Sequence, residues 1–91
     1  MEVRWSVLAA HDLTRIFERI RQDNPAAARA VLKTLYEGCG VLGAFPLRGR
    51  EGRMNGRREL VFSALPYIAV YRITPEAVEI SRIYHAAQDW P

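Results

Sequence analysis

The spacing of apolar residues changes its period twice along this chain. Val3 and Trp5 alternate with polar neighbours over a short opening run, which predicts a β-strand. From Val7 the period lengthens: Leu13, Ile16, Phe17 and Ile20 recur at helical spacing while Asp12, Arg15, Arg19 and Gln22 fall largely elsewhere. This is an amphipathic helix, and Ser6 is placed to cap it. Asp23-Asn24-Pro25 ends that helix and starts a second, with Asn24 as the N-cap and Pro25 at the first helical position. Ala28, Val31, Leu35, Cys39 and Leu42 mark its buried stripe, widened by Leu32 and Tyr36. Gly38 and Gly40 leave its end undefined. So short a turn between two helices predicts a helical hairpin.

Residues 46–57, Pro-Leu-Arg-Gly-Arg-Glu-Gly-Arg-Met-Asn-Gly-Arg, show no apolar period and read as a mobile basic loop. Strand periodicity then returns in three segments, Arg58 to Phe62, Tyr67 to Ile73 and Ala77 to Tyr84. Ala64-Leu65-Pro66 and Thr74-Pro75-Glu76 supply the turns. The expected order is β-α-α-β-β-β: an α+β fold in which an antiparallel or mixed sheet carries a helical hairpin on one face. Neither a repeat nor a composition shift divides it, so residues 1–91 form a single domain.

Composition narrows the function. A chain of 91 residues, 49% hydrophobic and 25% charged, supports one core. Its net charge is +3, and twelve of the thirteen basic residues are arginine, Lys33 being the exception. Arginine suits bidentate contacts to phosphate or carboxylate, so an anionic partner is permitted. Cys39 is the single cysteine, which excludes an internal disulfide and a zinc site built on four thiolates. No metal or other cofactor is expected. No leader segment is recognisable, and no apolar run approaches the ~18 residues of a membrane span. A soluble, cytoplasmic protein with no membrane partner is expected.

Chemistry concentrates near the end of the last strand, where Arg82, Tyr84 and His85 precede Ala86-Ala87-Gln88-Asp89-Trp90. Strict alternation puts Arg82 and Tyr84 on one face with Val78 and Ile80, and Ile83 with His85 on the other. An arginine, a tyrosine and a histidine at one sheet end can bind a phosphate and move a proton. The plainer reading is a capping histidine and an amphipathic tyrosine at the core rim. Arg48, Arg50, Arg53, Arg57 and Arg58 can grip a nucleic-acid backbone or an acidic protein, or simply be solvated. Arg58 and Glu59 can also form a local ion pair. Trp90 either folds back on the sheet or meets a partner, and Tyr67 and Tyr71 read as ordinary sheet packing. No Gly-rich phosphate loop, helical His pair or serine-nucleophile motif is present.

Taken in order, Val3-Arg4-Trp5-Ser6, Asp12-Leu13 with Ile16, Asn24-Pro25-Ala26-Ala27, Arg58-Glu59-Leu60-Val61, Leu65 to Arg72 and Ile80 to Trp90 resemble the RelE/ParE superfamily of toxins from type II toxin–antitoxin modules. The resemblance spans nearly the whole chain, and it rests on the joint order rather than on any one piece. It implies a small bacterial toxin for plasmid stabilisation or growth inhibition, neutralised by a cognate antitoxin. RelE-like members are ribosome-dependent endoribonucleases (mRNA interferases) that carry an arginine on the middle strand; here Tyr67-Ile68-Ala69-Val70-Tyr71 puts Ile68 at that position. ParE-like members lack that arginine, end in a hydrophobic-His-x-x-x-Asp pattern similar to Tyr84-His85 to Asp89, and poison DNA gyrase. The resemblance therefore implies the ParE-like branch, with gyrase as target and no catalytic residues. The alternatives are a RelE-like nuclease acting on the ribosome and its mRNA, in which His85, Tyr84 and Arg82 would be catalytic, and a toxin-like fold that only binds partners.

Overall fold

The computed structural model of the chain describes residues 1–87, so Gln88, Asp89, Trp90 and Pro91, and with them the expected contact by Trp90, lie outside the described residues. The first strand is β1 (Glu2–Trp5), followed by helices α1 (Val7–Arg21) and α2 (Pro25–Gly40). Ser6 caps α1 by accepting from the Ala9 N–H at 3.0 Å, and its hydroxyl donates to the Ser81 carbonyl at 2.8 Å, tying the helix start to the sheet. Asn24 caps α2 through the Ala27 N–H at 3.0 Å. Gly38 and Gly40 stay helical, and a 3₁₀ turn over Val41–Gly43 ends the pair.

Four strands follow: β2 (Arg50–Glu51), β3 (Arg58–Val61), β4 (Tyr67–Ile73) and β5 (Ala77–His85). The sheet order is β1-β5-β4-β3-β2; β1 pairs with β5 in parallel and every other pair is antiparallel. The sheet is thus mixed, and both helices pack on one face. That core joins Ala9, Ile16, Leu35, Cys39 and Leu42 to Leu60, Tyr67, Ala69, Tyr71, Val78, Ile80 and Ile83. Trp5 leans from β1 onto α2, stacking on Tyr36 at 5.8 Å between centroids.

Three expectations need correction. The 46–57 segment is not without structure: Arg50–Glu51 forms β2 against β3. Tyr71 holds the approach to it, donating from its hydroxyl to Pro46 O at 2.7 Å and accepting from the Gly49 N–H at 2.9 Å. A Cβ on Gly49 would lie 2.6 Å from that hydroxyl, so only glycine fits. The β2–β3 turn closes with Gly52 N–H donating to Arg57 O at 2.8 Å, and Gly56 adopts φ +75°, which glycine tolerates without a Cβ penalty.

The second correction concerns β5. Tyr71 faces Ile80 while Val70 faces Arg82, so Ser81 is an extra residue, a β-bulge. Alternation restarts after it. Ile83 therefore joins Val78 and Ile80 in the core, and Arg82 and Tyr84 turn to the opposite face.

Third, Asp12 does not belong to the exposed side of α1. It is 2% exposed, inside the stripe that includes Ala9 and Ile16.

Candidate functional site

The face of the sheet turned away from the helices carries rows of side chains set by strand register. Arg50, Glu59, Val70 and Arg82 form one row across β2, β3, β4 and β5; Val61, Ile68 and Tyr84 form the next. On the other side of the first row lie Arg4, Glu79 and Arg72 of β1, β5 and β4.

Arg82 and Tyr84 meet on this face, with the Arg82 guanidinium carbon 5.0 Å from the centre of the Tyr84 ring. Arg82 is also clamped: Nε and one terminal nitrogen reach the two oxygens of Asp12 at 2.8 and 3.0 Å. The same carboxylate accepts the Ile83 N–H at 3.0 Å, taking the place of a strand partner where β1 has ended. Arg15 approaches it at 3.5 Å. Only the Asp12 side of this pair is buried; the Arg82 side chain is 32% exposed, and the two-point contact fixes its orientation at the sheet end.

His85 goes elsewhere. It pairs in register with Tyr67 and meets that ring edge-on at 5.5 Å, while Nδ1 accepts from the Ala87 N–H at 3.2 Å. The Tyr67 hydroxyl accepts from Arg19 of α1 at 3.0 Å, so this cluster lies on the helix side. Adjacent residues of a strand point to opposite faces. Of the trio Arg82, Tyr84 and His85, the fold gathers the first two and sets the third apart.

The basic residues of the hairpin divide as well. Glu59, 2% exposed, accepts from Arg50 at 2.9 and 3.0 Å and from the Arg53 backbone N–H at 3.1 Å. It does not pair with its neighbour Arg58, whose guanidinium instead donates to the Leu47 and Gly49 carbonyls. Arg50 and Arg58 thus hold the hairpin together. The guanidinium groups of Arg48 and Arg57 have no hydrogen-bond or ion-pair partner among the described residues.

Sequence reasoning gave no role to Asp12, Arg4 and Arg72, and it expected Glu59 to pair with Arg58, whereas Glu59 pairs with Arg50. Asp12 had a readable signal, because it falls three residues after Ala9 and four before Ile16, on the buried helical stripe. Arg4 and Arg72 lie on strands where alternation alone would have turned them outward.

No group of three or more His, Cys, Asp and Glu side chains is arranged to hold a metal among the described residues, and none of their helices is long and apolar enough to cross a membrane. Burial in the helix–sheet interface pushes the Cys39 thiol up to about 12. A thiol so protonated is a packing group, not a nucleophile.

A helical hairpin on one face of a five-stranded mixed sheet, with β1 parallel to β5, is the architecture of the RelE/ParE superfamily toxins. The profile of the family described as "ParE toxin of type II toxin-antitoxin system, parDE" matches residues 3–90. The chain belongs to this ParE toxin family. It is 39% identical to toxin Y4kP of Sinorhizobium fredii over 98% of this chain and 92% of the relative. Toxin RelE2 of Caulobacter vibrioides is 37% identical, covering 96% and 97%. Among solved structures, a chain of the chromosomal ParDE system from P. aeruginosa superposes with a TM-score of 0.85 at 26% identity, over 93% of this chain and 95% of that one. A chain of the RelBE2 toxin–antitoxin complex from Mycobacterium tuberculosis gives 0.62 at 28% identity, over 92% and 95%.

Proposed function

We propose that this type II toxin is neutralised by a cognate antitoxin and acts by the ParE-like route, inhibiting DNA gyrase without cutting nucleic acid. The observation that carries this reading is the Ile68 row of the sheet. Ile68, 6% exposed, stands where RelE-like nucleases carry an arginine, and the nearest arginine of β5, Arg82, is held by Asp12. Charge developing on a scissile phosphate needs a preorganised cation, and isoleucine supplies none. His85, the candidate proton carrier, lies on the other side of the sheet from Tyr84. An antitoxin partner is supported by the two similar solved systems, both described as toxin–antitoxin.

The Caulobacter relative bears the name RelE2, and Arg82 with Tyr84 makes one polar pair, so an mRNA interferase is the second reading. Primer extension on translating ribosomes separates the two. The ParE-like reading expects no new 5′ ends at any toxin concentration that arrests growth. New cuts in mRNA that vanish with Tyr84→Phe or His85→Ala would establish the interferase instead. Absence of growth arrest on expression without a partner would mean a toxin-like fold that only binds.

A further inference from the structure

An open cavity of about 500 Å³ lies where β1 gives way to α1, bordered by Arg4, Ser6, Leu8, Arg57, Arg72 and Glu79. Neither Arg82 nor Tyr84 lines it. Three arginines and one glutamate line it. Arg72 takes Glu79 at 2.6 Å and Arg4 takes Glu2 at 3.3 Å, all of them partly or largely exposed, while Arg57 has no partner among the described residues. Beside the cavity, Val7 and Leu8 are 85% and 58% exposed. These two apolar residues occupy the first turn of α1, which contains no acid. That choice runs against helix electrostatics, which favour Asp or Glu at this position. An unpaired arginine beside a bare apolar pair is a poor solvent surface and a good contact surface.

We infer that this cavity docks an acidic, apolar-anchored segment of the antitoxin, with a carboxylate on Arg57 and an aliphatic or aromatic side chain on Val7 and Leu8. The inference rests on the antitoxin partnership proposed above. A polynucleotide fits the cavity less well. Successive phosphates tracking the Arg4–Glu79–Arg72 row would meet Glu2 and Glu79, and Val7 and Leu8 would gain nothing from a sugar–phosphate backbone. A peptide can bring a single carboxylate to Arg57 and cover the apolar pair with its next side chains. Bidentate arginine–carboxylate contact fixes the register of such a segment.

The test titrates the purified protein encoded by the reading frame beside this gene onto the full-length chain and its variants. Arg57→Glu reverses the unpaired charge, and Leu8→Asp removes the apolar contact while suiting the helix N-terminus. Each is expected to weaken binding by at least about tenfold. Added salt is expected to weaken the wild-type complex more than the Arg57→Glu complex. Lys33→Glu, on the exposed side of α2, is the control and should stay within about twofold. Unchanged melting temperatures would tie the losses to the surface rather than to folding. Wild-type binding with both Arg57→Glu and Leu8→Asp unaffected overturns the assignment and leaves the antitoxin partnership standing, whereas no binding by the wild type removes both. A duplex DNA fragment that binds the wild type and is lost with Arg57→Glu, at unchanged antitoxin affinity, overturns it in favour of a polyanion site.

Discussion

Asp12 ties α1 to the end of β5. It satisfies Arg82 twice and the Ile83 N–H once from inside the protein. Asp12→Ala takes the acceptor from the buried Ile83 amide and one ion-pair partner from the partly exposed Arg82, and urea unfolding should report a loss of about 1–3 kcal/mol. Replacing both partners, Asp12→Leu with Arg82→Leu, should cost clearly less than the sum of the single changes, which a double-mutant cycle measures. Additive losses would mean that the two side chains do not act as a pair. Cys39 gives a prediction in pH. Its thiol pKa is raised from 9.0 to about 12 in the folded chain, so the folded state holds the proton more tightly. The stability tied to that proton is fully present below pH 9 and declines as pH rises toward 12, by at most about 1.4 kcal/mol per unit. Cys39→Ala should flatten this slope, and the native thiol should resist iodoacetamide until urea exposes it. At this scale the sequence was only partly legible. Cys39 declared itself by helical spacing, whereas Asp12 has the right spacing and the wrong polarity, and polarity alone assigns it to solvent.

Single side chains also decide the shape of whole elements. The β2–β3 hairpin is short, rich in glycine and arginine, and ordered from within by Glu59 and Tyr71. A two-residue strand cannot display the alternation by which strands are recognised, so β2 was invisible in the sequence. Glu59→Gln removes the charge that holds Arg50, and Tyr71→Phe leaves Pro46 O and the Gly49 N–H without the hydroxyl. Hydrogen exchange across residues 46–57 should accelerate in both variants, with the tyrosine change costing about 1–3 kcal/mol. Unchanged protection in both would show that the hairpin is held by other contacts. The bulge at Ser81 was equally hidden. Periodicity predicts a strand through Tyr84 and assigns its faces by strict alternation, but the extra residue at Ser81 shifts them. The Ser6 and Asp12 contacts that grip this stretch join residues more than 70 positions apart. The helices and the three longer strands, by contrast, are where the apolar periods put them, because each has enough residues to repeat its pattern.

The whole molecule carries a net charge of +3, but its arginines do unlike work. Arg50, Arg58 and Arg82 bond within the fold, whereas the guanidinium groups of Arg48 and Arg57 have no such partner among the described residues. Composition could not make that division, because it depends on Glu59, Asp12 and two loop carbonyls brought close by folding. The family was legible in the order of short segments along the chain, and the target was not, since one fold serves both gyrase poisons and ribosome-dependent nucleases. The proposed inhibition of gyrase rests on a sheet with Ile68 in the middle strand and Arg82 held by Asp12. Its most direct test is a supercoiling reaction with purified gyrase and relaxed plasmid, titrated with the antitoxin-free chain. Supercoiling should fall with toxin dose and be restored by antitoxin; undiminished supercoiling at a large molar excess of folded toxin would contradict gyrase inhibition.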